Sequence, residues 1–175
     1  YRDKDVYKVK QSLKEQGYTP DQIPLKAGIF GAEPWTEEMR KGIEETLGIK
    51  AYDIYGLTES TGPGVAFECE AQTGMHINED HFYAEIIDPE TGEELPDNVT
   101  GEFVARGYNI MKGYYKMPKA TASAIDKDGR LHTGDLACRT PEGNFRITGR
   151  LKDMIIRGGE NIYPKEIEEF IYTCP

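Results

Sequence analysis

The stretch that constrains the fold most strongly is Ala51 to Gly64, which reads AYDIYGLTESTGPG. The first half is rich in aromatic and branched residues and predicts a strand, and Gly56 begins a loop dense in Thr, Ser and Gly. A strand that ends in such a loop offers free N–H groups and hydroxyls to an oxyanion or a phosphate. Glu59 lies in this loop, and a carboxylate beside a phosphate is explained by a shared cation such as Mg²⁺. The alternative is an ordinary turn with a solvated Glu59.

The residues before this stretch alternate between helix and strand patterns. An N-terminal helix is predicted from apolar residues at helical spacing, Val6, Val9 and Leu13. Residues 25–30 (LKAGIF) then predict a short strand. A second helix follows, with Thr36 as its N-cap, Gly48 as its end and a core-facing apolar stripe of Trp35, Met39, Ile43 and Leu47. The order strand, helix, strand predicts an α/β layer with a parallel sheet.

The residues after Gly64 predict a smaller β subdomain. YAEIID (Tyr83 to Asp88) and GEFVAR (Gly101 to Arg106) are strand patterns joined by a turn-rich segment, which predicts a hairpin. The patterns further along predict a short helix at 118–125 and strands at 131–138, 142–150 and 154–156. A last helix is predicted to begin at Pro164, with a buried face formed by Ile167, Phe170 and Ile171.

Composition narrows the class of protein. The chain has 175 residues, enough for one domain with a core and part of a second, and a formal net charge of −10. This charge argues against nucleic acid or an anionic membrane as the main partner. The sequence has no apolar run of membrane-spanning length and no signal-peptide pattern. Three widely spaced cysteines form no disulfide framework, which favours a reducing, cytoplasmic location.

Four motifs in order resemble the late core motifs of adenylate-forming enzymes, the superfamily of acyl-CoA synthetases, luciferases and peptide-synthetase adenylation domains. They are YGLTE, GEFVARGYNIMKGYYKMP, HTGDL and GRLKDMIIRGGENIYPKEIE, and they cover most of residues 31–168. The last motif looks most like that of AMP-forming acyl-CoA ligases. The resemblance implies a chain taken from the end of the large N-terminal AMP-binding domain (residues 1–148) and the hinge and start of a small α+β C-terminal domain (residues 149–175).

The resemblance differs between the two parts of the chain. Residues 1 to about 100, especially GPGVAFECE and EDHFYAEIIDPETGEELP, resemble phenylacetate-CoA ligases and other aryl-CoA ligases. Residues from about 101 onward resemble the fatty-acyl-CoA synthetase branch. A natural intermediate subfamily and a joined sequence both explain this mixture.

The first motif implies roles around a bound nucleotide. Tyr55 matches the aromatic residue that stacks on adenine, followed by Gly56 in the same loop, and the alternative is a core tyrosine at a strand end. Thr58 matches the hydroxyl that contacts the α-phosphate. Glu59 matches the acid that binds Mg²⁺ and helps to neutralise charge as a carboxylate attacks the α-phosphorus. Upstream, the segment that lines the adenine and acyl pockets matches Gly31, Ala32, Glu33 and Pro34.

The later motifs imply further contacts. Asp135 in HTGDL matches the acid that accepts hydrogen bonds from both ribose hydroxyls, the alternative being a turn carboxylate, and Arg150 matches a second ribose or phosphate contact. His132 is expected to have a packing or loop role. Lys152 matches the hinge about which the C-terminal domain rotates between its two poses. A glycine pair beside the pantetheine tunnel of coenzyme A matches Gly158 and Gly159, which a hairpin turn would also explain.

A separate group of side chains lies outside these motifs. Cys69, His76 and His81 are suitable zinc ligands in one loop, and a structural zinc could stabilise an insertion without its own core. The spacing matches no standard zinc finger. The alternative interpretation, an unliganded cysteine near surface histidines, is favoured.

Together these features predict part of an ATP- and Mg²⁺-dependent ligase that converts a carboxylic acid into an acyl-adenylate and then into a CoA thioester. An aryl acid such as phenylacetate is the first expectation and a medium-chain fatty acid the second. The alternatives are an adenylation domain that loads a carrier protein and a non-catalytic nucleotide-binding remnant. The sequence leaves the oligomeric state open, a dimer included. The family's phosphate loop and catalytic lysine are absent from these residues, so the 175-residue chain alone is expected to be inactive.

Overall fold

The computed structural model describes residues 3–22, 24–31, 36–157 and 160–172, and contacts divide the chain into two compact units, residues 1–53 and 54–175. No helix within the described ranges is long and apolar enough to cross a membrane. The architecture is mixed α/β, as the sequence predicts.

The first unit contains the predicted strand, helix and strand. After helix α1 (Asp3–Glu15), strand β1 (Ala27–Phe30) pairs in parallel with the start of β2 (Lys50–Leu57), and α2 (Glu37–Leu47) connects them. The Thr36 hydroxyl accepts a hydrogen bond from the Met39 N–H (3.2 Å), which confirms the predicted N-cap. Gly48 ends α2 in the left-handed region at φ 66°. Its hydrophobic core includes the buried residues Ile43, Ile49 and Ala51.

The second unit is dominated by antiparallel strands. From the second half of β2, hydrogen bonding runs in the order β2-β3-β4-β8-β7-β6-β5. These strands are β3 (Gly62–Glu68), β4 (Met75–Ile77), β5 (Tyr83–Ile87), β6 (Gly101–Arg106), β7 (Leu131–Arg139) and β8 (Phe145–Arg150). Helix α3 (Pro118–Ala124) precedes β7, and β9 (Ile155–Arg157), β10 (Glu160–Ile162) and α4 (Pro164–Tyr172) follow β8. The pairing of Tyr83 with Arg106 and of Ile87 with Glu102 confirms the predicted hairpin.

The core of the second unit lies between these strands. Phe103 on β6 is 1% exposed and has edge-to-face contacts with Phe145 on β8 and Tyr55 on β2, at centroid distances of 5.8 and 5.3 Å. Val65 and Ala137 are buried in the same cluster. The core therefore fixes β2, β6 and β8 against one another within this unit.

The structure corrects the prediction that a loop begins at Gly56 and favours the alternative of a turn. Strand β2 continues to Leu57, a single 3-10 turn (Thr58–Ser60) follows, and β3 returns beside β2. Gly56 allows this close return, because a Cβ atom there would lie 2.1 Å from the Gly62 carbonyl oxygen. The segment is a tight hairpin with a register shift between Tyr55 and Gly56.

The prediction that the last helix has a buried apolar face is wrong for the described residues. Helix α4 forms where predicted, but Ile167, Phe170 and Ile171 are 47%, 69% and 60% exposed. The periodicity correctly identifies an apolar face, but burial also needs a partner surface. In the described part of the chain, these three side chains keep about half or more of their surface exposed.

Candidate functional site

Asp135 and Tyr55 form the centre of the candidate site. The Tyr55 hydroxyl donates a hydrogen bond of 2.8 Å to Asp135 Oδ2, although the two residues lie 80 positions apart. Asp135 on β7 pairs directly with Arg150 on β8, and Arg150 Nε lies 3.5 Å from Asp135 Oδ1. The sheet thus brings together three residues that the family motifs predict for one nucleotide site.

The electrostatics of this pair follow from its position. Asp135 is 7% exposed, and burial raises its pKa above the ordinary carboxyl value although the Tyr55 hydrogen bond and the charges of Arg150 and Lys152 oppose the shift. Burial and the Asp135 charge raise the pKa of Tyr55. At neutral pH the phenol is therefore the donor. The carboxylate is oriented by a neutral group and keeps its capacity to accept further hydrogen bonds.

The Tyr55 side chain also belongs to the core. Its ring packs against Phe103 with an interplanar angle of 72°, and the residue is half-buried. The structure thus places Tyr55 both at a strand end in the core and at the candidate site, so the two interpretations of this tyrosine are compatible.

Thr58 and Glu59 lie on the 3-10 turn between β2 and β3. The buried Ser60 hydroxyl donates to the Leu57 carbonyl (3.0 Å) and accepts from the Leu57 N–H (3.3 Å), which fixes the turn. Thr58 is exposed and Glu59 half-buried. Glu59 Oε1 accepts a hydrogen bond of 2.8 Å from the Tyr114 hydroxyl, and this bond is the main reason that the pKa of Tyr114 is raised.

Glu102 is a residue near the site that received no role from the sequence. Its carboxylate is buried on β6, where Oε1 accepts the Gly134 N–H (3.1 Å) and Oε2 lies 2.9 Å from His132 Nδ1. Glu102 therefore holds the backbone immediately before Asp135. Thr133 adds a second restraint, since its hydroxyl donates to the Phe103 carbonyl (2.6 Å) and accepts from the Asp135 N–H (3.1 Å). The local signal for Glu102 is an acid directly before the apolar residues Phe103, Val104 and Ala105, which marks its position but not its partners.

His132 has the structural surroundings expected for it. Its second ring nitrogen, Nε2, lies 3.5 Å from Asp126 Oδ2, and that carboxylate also accepts from Arg130 Nε at 2.8 Å. The histidine therefore links β6 to the turn before β7, in agreement with the predicted packing role.

The remaining predicted nucleotide and hinge residues are distributed between the two units. Lys152 lies on an exposed 3-10 turn (Leu151–Asp153) directly after β8, and Gly31 follows β1 in the first unit. The other predicted positions lie outside the described residues: Ala32, Glu33, Pro34, Gly158 and Gly159.

The structure does not bring the proposed zinc ligands together. Cys69 is exposed after β3, His76 is exposed on β4, and His81 is exposed with Nδ1 against the Tyr108 hydroxyl. Within the described ranges, no three His, Cys, Asp or Glu side chains are close enough to hold a metal ion.

The Glu59 turn does fit a magnesium ion shared with a ligand. Mg²⁺ binds one or two protein carboxylates together with substrate phosphates and water. With Oε1 hydrogen-bonded to Tyr114, Glu59 Oε2 remains for a hard cation, and the exposed Thr58 hydroxyl lies on the same turn. Glu59 is therefore a suitable single carboxylate donor for such an ion.

Comparisons with known proteins identify the family of the chain. A family profile described as "AMP-binding enzyme" matches residues 5–115. Phenylacetate–coenzyme A ligase of Pseudomonas putida is 47% identical over 165 residues, which cover 90% of this chain and 34% of that protein. The putative acyl-CoA synthetase YngI of Bacillus subtilis is 45% identical, with 89% and 29% covered. The chain thus spans about a third of the length of these relatives.

A solved structure of an ATP-bound enzyme shows that the fold is also shared. ATP-bound MatB from Rhodopseudomonas palustris superposes with a TM-score of 0.72 at 34% identity, over 84% of this chain and 30% of MatB. The match to the P. putida ligase extends across both parts of the chain that resemble different subfamilies. From the profile match, these identities and this shared fold, we conclude that the chain belongs to the AMP-binding family of adenylate-forming enzymes and is related to the acyl-CoA ligases.

Proposed function

We propose that the chain is part of an ATP-dependent carboxylate–CoA ligase that forms an acyl-adenylate and then an acyl-CoA thioester. The observation that carries this proposal is the Tyr55–Asp135–Arg150 group, which unites three residues from separate motifs on neighbouring strands. Phenylacetate or another aryl acid is the proposed substrate class, supported by the identity to the P. putida ligase. Coenzyme A is the proposed acyl acceptor.

Asp135 is proposed to bind the ribose of the nucleotide. An ionised carboxylate has about four acceptor sites, so Asp135 can accept bonds from both ribose hydroxyls while Oδ2 also accepts from Tyr55. Its burial strengthens such bonds, because less water competes for the oxygens. Tyr55 orients the carboxylate while its ring is proposed to lie against adenine, and Arg150 is proposed to add a ribose or phosphate contact.

Thr58 and Glu59 are proposed to serve the phosphate end. The Thr58 hydroxyl would donate to the α-phosphate, and Glu59 would hold Mg²⁺ with its free carboxylate oxygen. When bound, the ion supplies positive charge that stabilises the phosphate oxygens during attack by the substrate carboxylate. Lys152 is proposed as the hinge, and Gly31 as part of the segment near the adenine and acyl pockets.

Calorimetric titration with AMP tests the nucleotide site. We expect Asp135→Ala to weaken AMP binding at least about tenfold, as loss of a hydrogen-bonding charged group predicts. Asp128→Ala is the matched control, because Asp128 lies in the exposed turn before β7. Equal AMP affinity in Asp135→Ala and the parent would refute the role of Asp135. In the complete gene product, pyrophosphate release measured with phenylacetate and with a medium-chain fatty acid would distinguish the two proposed substrate classes.

A further inference from the structure

The segment between β6 and α3 contacts the Glu59 turn twice. The Met111 N–H donates a hydrogen bond of 2.7 Å to the Glu59 carbonyl oxygen, and the Tyr114 hydroxyl donates one of 2.8 Å to Glu59 Oε1. The first bond fixes the backbone of Glu59 and the second fixes its side chain. One short segment therefore restrains both the position and the rotamer of this acid.

Tyr114 is itself held from the other side. Its N–H donates to Thr121 Oγ1 on α3 (2.9 Å), and that hydroxyl donates in turn to the Met117 carbonyl (3.0 Å). Gly113 permits this close packing, since a Cβ atom there would lie 2.6 Å from the Thr121 methyl group. The backbone that carries the phenol is thus anchored to α3 although the Tyr114 side chain is 38% exposed.

We propose that Tyr114 is a positioning residue for Glu59, which orients the carboxylate for a divalent cation shared with the bound nucleotide. This inference rests on the proposed function of Glu59. A glutamate on a surface turn samples several rotamers, and a hydrogen bond to one oxygen selects the rotamer that directs the carboxylate. A phenol suits this task, because it orients the carboxylate without contributing an opposing positive charge. Such outer partners of metal ligands typically change metal affinity by about 10- to 100-fold.

The test uses the complete gene product saturated with AMP, with Mn²⁺ as a paramagnetic probe whose binding is followed by electron paramagnetic resonance. We expect Tyr114→Phe to bind Mn²⁺ about tenfold more weakly than the parent. AMP affinity, measured without a divalent cation, and the unfolding temperature should be unchanged. The matched control is Tyr115→Phe, because Tyr115 is 86% exposed and its cation–π contact with Lys116 needs only the ring. This control should bind Mn²⁺ like the parent.

The variant Glu59→Gln distinguishes the proposed metal-binding role of Glu59 from the proposed positioning role of Tyr114. Weaker Mn²⁺ binding in Glu59→Gln but not in Tyr114→Phe would overturn the positioning role and leave the metal role of Glu59 intact. Unchanged Mn²⁺ binding in both variants would overturn the metal role and, with it, the role of Tyr114. Tyr114→Phe that lowers AMP affinity and unfolding temperature together with Mn²⁺ affinity would identify a structural tyrosine and overturn the proposal.

Discussion

Replacement of Tyr55 by Phe isolates the hydrogen bond that orients Asp135. The change removes one hydroxyl and keeps the ring, so the contact with Phe103 is retained. Hydrogen bonds to charged groups contribute about 1.5–3 kcal/mol, and Tyr55 is only half-buried. We therefore expect the free energy of unfolding at pH 7 to fall by about 1–2 kcal/mol, around or just below the lower end of that range.

The loss should depend on pH in a defined direction. Burial raises the pKa of Asp135 above its ordinary value of 3.8, and the Tyr55 bond opposes that shift. An acid whose pKa is raised in the folded state lowers the free energy of unfolding once it ionises. This loss of stability is absent at low pH and develops as the pH rises through the folded-state pKa. Removal of the hydroxyl raises that pKa further. The stabilities of Tyr55→Phe and the parent should therefore diverge as the pH rises from about 4 to 7.

Urea denaturation at pH 4 and pH 7, followed by circular dichroism, measures this difference. Tyr52→Phe is the matched control, because Tyr52 is a half-buried tyrosine on the same strand, β2. Its effect should not vary with pH through Asp135. A loss of stability in Tyr55→Phe that is equal at the two pH values would refute the argument that the hydroxyl stabilises the ionised form of Asp135.

Two further predictions concern the surrounding structure. Gly56→Ala should lower the free energy of unfolding by about 1–3 kcal/mol, because its Cβ atom would lie 2.1 Å from the Gly62 carbonyl oxygen. Thermal unfolding measures this loss of stability. The control is Gly42→Ala on α2, which should stabilise the protein because alanine favours a helix and nothing lies near the added Cβ atom. An unchanged unfolding midpoint in Gly56→Ala would contradict the close approach of Gly56 to the Gly62 carbonyl oxygen. Burial raises the pKa of Asp126, but hydrogen bonds from Arg130 outweigh it and lower the value from 3.8 to about 2. Asp126→Asn should therefore lower the free energy of unfolding by about 1–2 kcal/mol at pH 7. Urea denaturation at pH 2 should show little difference between Asp126→Asn and the parent, because the stabilisation by ionised Asp126 disappears as the pH falls from 3.8 to about 2.

The elements that were predicted correctly are those whose signals are local. Thr36 and Gly48 mark the two ends of α2, because a capping hydroxyl and a left-handed glycine act within one turn of the helix. The β5–β6 hairpin was predictable for the same reason, since two strand patterns flank a turn-rich segment. Residues 62–68 were missed as a strand because their first three are Gly, Pro and Gly, which count against a strand in any local reading.

The candidate site was predictable in part. The motifs assign Tyr55, Asp135 and Arg150 to one proposed site, but they do not predict that the Tyr55 hydroxyl donates to Asp135. Glu102 and Tyr114 received no role, because their partners lie 32 and 55 residues away in the chain. Only the registers of β6 with β7, and the return of residues 111–114 to the β2–β3 turn, create these contacts. No local pattern encodes them.

The two carboxylates of the proposed nucleotide site are oriented in the same way, by a tyrosine hydroxyl. Each accepts a hydrogen bond of 2.8 Å from a tyrosine, Asp135 from Tyr55 and Glu59 from Tyr114, whereas Arg150 lies at 3.5 Å from Asp135. A neutral donor fixes the direction of a carboxylate and leaves its charge available. A closely paired Lys or Arg would instead neutralise that charge and compete with a ribose hydroxyl or a metal ion for the same oxygens. The net charge of −10 on this chain opposes an anionic nucleotide, so the proposed site would depend on oriented local groups and on the proposed cation. The tyrosine–carboxylate pairs provide that local orientation.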